Sequence, residues 1–193
     1  MSDLTNVHKG VSCVYYGLFL IVASILVAIP AAAVMMSSPR AGLAMMALVP
    51  LMLIAGTILG LVGRIICLAA PDEMQATGII YAAVACDIVV VLISAAGWFV
   101  PVSDFVGSLS GLLSLAATVL FLIFLRQTAT YIRDSVSERR AGNVMKLGAG
   151  AFVTVVLGIF LPPLLIVTFI LVIVGFLIYV RLLTGLKASL KTA

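Results

Sequence analysis

Long apolar runs broken by short polar segments make up nearly the whole chain, and their lengths predict membrane-spanning helices. Residues 1–10 form a polar tail, and the apolar run behind it predicts a first span over 11–36. Ser37-Ser38-Pro39-Arg40 predicts a turn, because proline biases its predecessor away from the helix and serine suits loops. A second span covers 41–63, with the guanidinium of Arg64 snorkelling toward headgroups. Pro71-Asp72-Glu73 opens a third span over 76–100: proline fits a first helical turn, and the two carboxylates complement the positive end of the helix dipole. Trp98 and Phe99 read as an interfacial anchor before the turn Pro101-Val102-Ser103-Asp104, and a fourth span follows over 105–125.

Beyond Arg126 the pattern changes. Leu125, Ala129, Ile132 and Val136 keep a helical period while Arg133, Asp134, Glu138, Arg139 and Arg140 fall on other faces. Residues 126–141 are therefore expected to extend the fourth helix as an amphipathic cytoplasmic segment, stopped at Gly142-Asn143. Residues 147–180 then carry no charge at all. A straight helix of that length would reach about 51 Å, well beyond a hydrocarbon core of roughly 30 Å. Pro162-Pro163 stands in the middle, and adjacent prolines remove two backbone donors and clash with the preceding turn. The expectation is a hairpin of two spans, 144–161 and 163–182. The alternative is one kinked last helix and five spans. The fold class is all-α, a polytopic transmembrane helical bundle in a single domain.

Composition agrees with lipid as the solvent: 64% of residues are hydrophobic and 9% charged. A net charge of +4 would suit nucleic acid, but the basic residues are scattered at the ends of apolar runs and point to no nucleic-acid partner. With six spans and the amino terminus inside, Lys9, Arg64, Arg126, Arg133, Arg139, Arg140, Lys146, Arg181, Lys187 and Lys191 fall on the cytoplasmic side and Arg40 outside. Tyr15, Tyr16, Tyr81, Tyr131 and Tyr179 fall near the same boundary. Pro162, Pro163, Arg126, Arg139, Arg140 and Lys146 thus determine the expected topology, with both termini cytoplasmic and a bacterial inner membrane as the location. Ala31-Ala32-Ala33 resembles a signal-peptide cleavage site, but the run before it is longer than a usual h-region.

Candidate chemistry is sparse. Cys13, Cys67 and Cys86 have no C-x-x-C spacing, and His8 is the only imidazole, so neither a metal site nor a cofactor is expected. No nucleophile, phosphate-loop or zinc-protease motif is present, and a paired-carboxylate site would need a second buried acid. Asp87 is the one acid deep inside a predicted span, where a carboxylate costs roughly 2.5–3.5 kcal/mol on insertion scales. It shares a face of small and polar residues with Ser94, and the fourth span carries a matching face in Gly107, Gly111, Ser114 and Thr118. Counting residues from the intervening turn sets Thr118 opposite Asp87 as a hydrogen-bond donor, with Thr57 able to enter the same pocket. The same counting sets Arg64 opposite Tyr81, too shallow to pair with Asp87. Gly56 and Gly60, like Gly107 and Gly111, have the spacing of close helix packing.

The function expected is non-catalytic: a packing or scaffold subunit of a homo-oligomer or membrane complex. The alternative is a small ion, proton or solute transporter or channel centred on Asp87.

Overall fold

A computed structural model describes residues 2–71, 74, 76–97, 104–158, 161 and 163–192. Among them are six long helices and no strand: α1 (Ser2–Ser37), α2 (Pro39–Ile66), α3 (Thr77–Ala96), α4 (Asp104–Tyr131), α5 (Ser135–Gly158) and α6 (Leu164–Thr192). The expected polar tail is part of α1, because Val7 and Val11, one helical turn apart, are fully buried and give it a packing face. Ser38 alone separates α1 from α2; its backbone is extended (φ −143°, ψ 91°) and Pro39 opens the next helix. A short 3-10 turn, Cys67–Ala69, ends α2, and α3 starts at Thr77, later than Pro71 suggested. Asp72, Glu73 and the anchor and turn at 98–103 lie outside the described residues.

Between α4 and α5 the structure departs from the expected extension. Residues 126–141 are not one continuous extension, and Gly142-Asn143 is no stop, since α5 runs straight through it. The break falls at Arg133, which takes a left-handed conformation (φ 56°) without being glycine. The Arg133 amide donates to the Thr130 carbonyl (3.0 Å) and the Asp134 amide to that of Ala129 (2.8 Å), the paired bonds that close a helix C-terminus. Asp134 then caps α5: its Oδ1 accepts from the Ser137 amide (3.0 Å), and its Oδ2 accepts from the Ser189 hydroxyl on α6 (2.8 Å).

The uncharged stretch folds back on itself as expected. α5 ends at Gly158, α6 begins at Leu164, and the Thr168 hydroxyl donates to that of Thr154 across the pair (2.8 Å). Further along, a Cβ on Gly175 would lie 3.8 Å from Leu147, and Arg140 donates to the Arg181 carbonyl (3.3 Å), so the two helices run antiparallel side by side. Among the described residues α5 and α6 are therefore two antiparallel helices rather than one kinked helix. Pro162 lies outside the described residues; Pro163 stands at the turn just before α6. Among the described residues five helices, all but α5, are long and apolar enough to cross a membrane. In α5 the first half carries Glu138, Arg139, Arg140 and Lys146.

The buried core is concentrated at one end of the bundle. It joins Val7 and Val11 of α1, Cys67 just past α2, Ile80 of α3, Phe121 to Ala129 of α4, Ala141 of α5, and Leu182, Leu183, Leu186 and Leu190 of α6. The start of α1 and the end of α6 therefore lie side by side, and Lys187 donates to the Tyr16 hydroxyl there (3.2 Å). Away from this end, large apolar side chains such as Ile29, Leu92, Ile166 and Phe169 are exposed, as a lipid-facing surface requires. The most extensive helix interface is α1 against α2. There the backbones touch: a Cβ on Gly17 would stand 2.6 Å from the Gly56 carbonyl oxygen, and one on Gly63 would stand 2.7 Å from that of Gly10. Gly56 thus packs as its spacing suggests, and Gly60 contributes backbone that Gly17 approaches (2.8 Å). Gly107 and Gly111 do not pack within the chain, since a Cβ on either meets nothing within 4 Å.

Gly17→Ala should accordingly lower stability by about 1–3 kcal/mol through overpacking, while Gly107→Ala should cost nothing; thermal unfolding in mild detergent distinguishes them. A second expectation concerns pH. Partial burial would raise the Asp134 carboxyl, but Ser137, Ser189 and the Val136 amide outweigh it and hold the pKa below the ordinary carboxylate value. The ionised form is the one favoured by folding, so its stabilisation is complete above about pH 4 and is lost as pH falls through the depressed folded value. Asp134→Ala should cost about 1–2 kcal/mol at pH 7, with the gap from the native chain narrowing in acid.

Candidate functional site

α2 delivers Arg64 near its end, and α3 delivers Asp87 from its middle. The two form an ion pair, Arg64 Nη1 donating to Asp87 Oδ2. Residue counting from the α2–α3 turn placed these side chains too far apart. Two features undo that count. α2 gives way to a 3-10 turn at Cys67–Ala69 and α3 begins only at Thr77, and α2 packs on α1 far more than on α3, so equal depth from the turn does not hold. The long guanidinium stem covers the remaining offset. Instead of snorkelling outward, Arg64 also lays its guanidinium over the Phe121 ring, 4.9 Å from the centroid. Phe121 is fully buried and stacks on Phe124 (6.0 Å between centroids), so it offers a fixed platform.

The pair faces a crevice of about 370 Å³ bounded by five helices. Val14, Leu18 and Ile21 of α1 and Gly56, Thr57 and Gly60 of α2 form one wall; Asp87, Val90 and Val91 of α3, Ser114 and Thr118 of α4, and Tyr179 of α6 form the other. The side chains of Arg64 and Asp87 keep 17% and 19% of their surface exposed, enough to be reached from this space. Low local dielectric strengthens the pair, and neutralising each charge with the other lowers the cost of holding either at this depth.

Of the residues the sequence singled out, the crevice brings together Asp87, Thr57, Ser114 and Thr118. It leaves out Ser94, whose hydroxyl donates to the Val90 carbonyl (2.8 Å) on an exposed face. Thr118 does not bond Asp87; its hydroxyl donates to the Ser114 carbonyl (2.9 Å), and that of Thr57 donates to the Leu53 carbonyl (2.8 Å). Inside an apolar helix a hydroxyl satisfies itself most cheaply on the carbonyl one turn back. Arg64, Phe121 and Tyr179 are the members that sequence reading missed. Tyr179, taken for a boundary tyrosine, lines the crevice, and only the fold of α6 against the other helices puts it there. Arg126, Arg139, Arg140 and Lys146 lie elsewhere, around a separate groove between α4 and α5.

Comparison of the chain with family models, curated proteins and solved structures returns no match. Among the described residues no group of three or more His, Cys, Asp and Glu side chains is placed to hold a metal ion.

Removing one charge strands the other. Arg64→Gln and Asp87→Asn should each destabilise the protein by about 2–4 kcal/mol, short of the cost at a fully buried pair. The double variant should lose less than the two singles together. Thermal unfolding of all four proteins in one detergent measures the coupling.

Proposed function

We propose that the protein is a small-solute or proton-coupled transporter whose switching centre is the Arg64–Asp87 pair. One observation carries this reading: oppositely charged side chains from two helices long and apolar enough to cross a membrane meet on the wall of an open crevice, with Thr57, Ser114, Thr118 and Tyr179 lining the same space. A pair sealed in the core would serve packing alone. A pair that solvent or solute can reach has two states. With Asp87 on Arg64 the guanidinium is occupied; with Asp87 displaced, it is free for an incoming anion. Arg64 from α2 and Tyr179 from α6 are the titratable groups that share the crevice with Asp87. Since Asp87 is already neutralised by Arg64, a resident cation is a poorer fit than a proton or a small anion.

The packing-subunit reading keeps one point in its favour. α2 and α3 share few other contacts, so the ion pair is a principal tie between them, and the open faces of Gly107 and Gly111 are free to meet another helix. Under either reading the proposed topology is six passes, with both termini on the cytoplasmic side of a bacterial inner membrane. Ten of the eleven basic residues supporting that topology lie in or beside helix segments at the packed end, Arg40 being the exception.

Proteoliposomes with an entrapped pH dye test the transport role. Imposing a gradient of a small, permanently charged organic anion that does not leak across the bilayer, or of protons alone, should produce a dye response above protein-free vesicles. Asp87→Asn, in protein that remains folded, should abolish it. A response unchanged by Asp87→Asn, or no response to any gradient from a monodisperse oligomer, would favour the packing subunit.

A further inference from the structure

We propose that the groove between α4 and α5 is a binding site for one anionic phospholipid, with its headgroup on Arg126, Arg139, Arg140 and Lys146 and its acyl chains in the apolar channel below. Two spaces adjoin here. The first, of about 830 Å³, is lined by those four cations and a single carboxylate, Glu138, leaving a net charge of +3. Glu138 approaches Arg126 only to 3.8 Å, and Arg140 is engaged with the Arg181 carbonyl. Among the described residues neither Arg139 nor Lys146 has an ion-pair partner.

The second space, of about 660 Å³, lies between the same helices with α6 as its floor, and Met145 lines both. Leu115, Gly148, Phe152, Leu171 and Phe176 are among its walls, and its surface is overwhelmingly apolar. Its α4 wall runs from Leu112 to Leu122, about 15 Å along the helix, or half of a hydrocarbon core of roughly 30 Å. The channel thus matches the depth of one leaflet's acyl region, and Met145 joins it to the basic cluster. The α4–α5 turn creates the groove: α5 leans on α6 rather than on α4, so the two helices diverge beyond their closed end.

Charge and depth together select the occupant. A peptide or a second copy of the chain would not need three net positive charges to end abruptly at the top of a channel one leaflet deep. An anionic lipid needs both, because basic pockets between transmembrane helices bind its phosphate while the chains fill apolar surface. A soluble phosphate would use the cations and leave the channel empty.

Native mass spectrometry of the full chain, with phosphatidylglycerol and phosphatidylcholine of identical acyl chains in competition, tests the site. One phosphatidylglycerol should be retained in preference. R139Q/K146Q should reduce that preference roughly 25-fold, at about five-fold per cation, with the thermal midpoint unchanged. If the double variant unfolds, the single variants carry the test at about five-fold each. Gly148→Phe, which meets no atom within 4 Å at its Cβ, should fill the channel and weaken retention of both lipids. Equal retention of the two lipids by the native chain overturns the proposal. So does displacement by inorganic phosphate, indifference to R139Q/K146Q, or loss of a dimer instead of a lipid.

Discussion

Helices in lipid gain little by burying one apolar side chain against another, because the surrounding chains are as apolar as the partner. What joins them is close backbone approach, polar contact and dense local packing, and everything in this protein depends on where those are placed. Gly10 and Gly17 bring α1 into backbone contact with Gly63 and Gly56 of α2, making one tight pair. The buried side chains from Val7 to Leu190 then gather α1, α3, α4, α5, α6 and the turn after α2 at one end. Toward the other end the helices present apolar side chains outward.

That uneven packing creates the two spaces. α2 is committed to α1, so its contact with α3 is slight, and Arg64 bridges the gap to Asp87 across a crevice rather than a packed seam. α5 is committed to α6 through Thr154, Thr168 and Arg140, so it parts from α4 once the Arg133–Asp134 turn is passed. Each space has the same origin: a helix tied strongly to one neighbour leaves room beside the other. The polar groups lie where that room is, since water or a headgroup can solvate them there and hydrocarbon cannot.

The positive φ at Arg133 belongs to the same economy of space. A left-handed residue other than glycine is disfavoured on its own, yet it ends α4 where Asp134 can both cap α5 and receive Ser189 from α6. One three-residue turn thereby fixes three helices relative to one another, and with them the direction in which the α4–α5 groove opens.

Hydropathy and proline placement were enough to establish an all-helical membrane bundle, the turn before Pro39 and the hairpin of α5 on α6. These follow from the thickness of a bilayer and from the backbone, which are local constraints that a string of residues carries with it. The importance of Asp87 was legible for the same reason, as an acid stranded among apolar neighbours. Its partner was not. Whether Arg64 points to headgroups or to Asp87 depends on which helices pair, and Thr118 turned out to bond its own helix because the nearest carbonyl is always available. The stop at Arg133 carried no glycine to announce it, while Gly142 announced one that does not occur. Pairing, register and the destination of a long side chain are properties of contacts between distant segments, and no periodicity along the chain contains them.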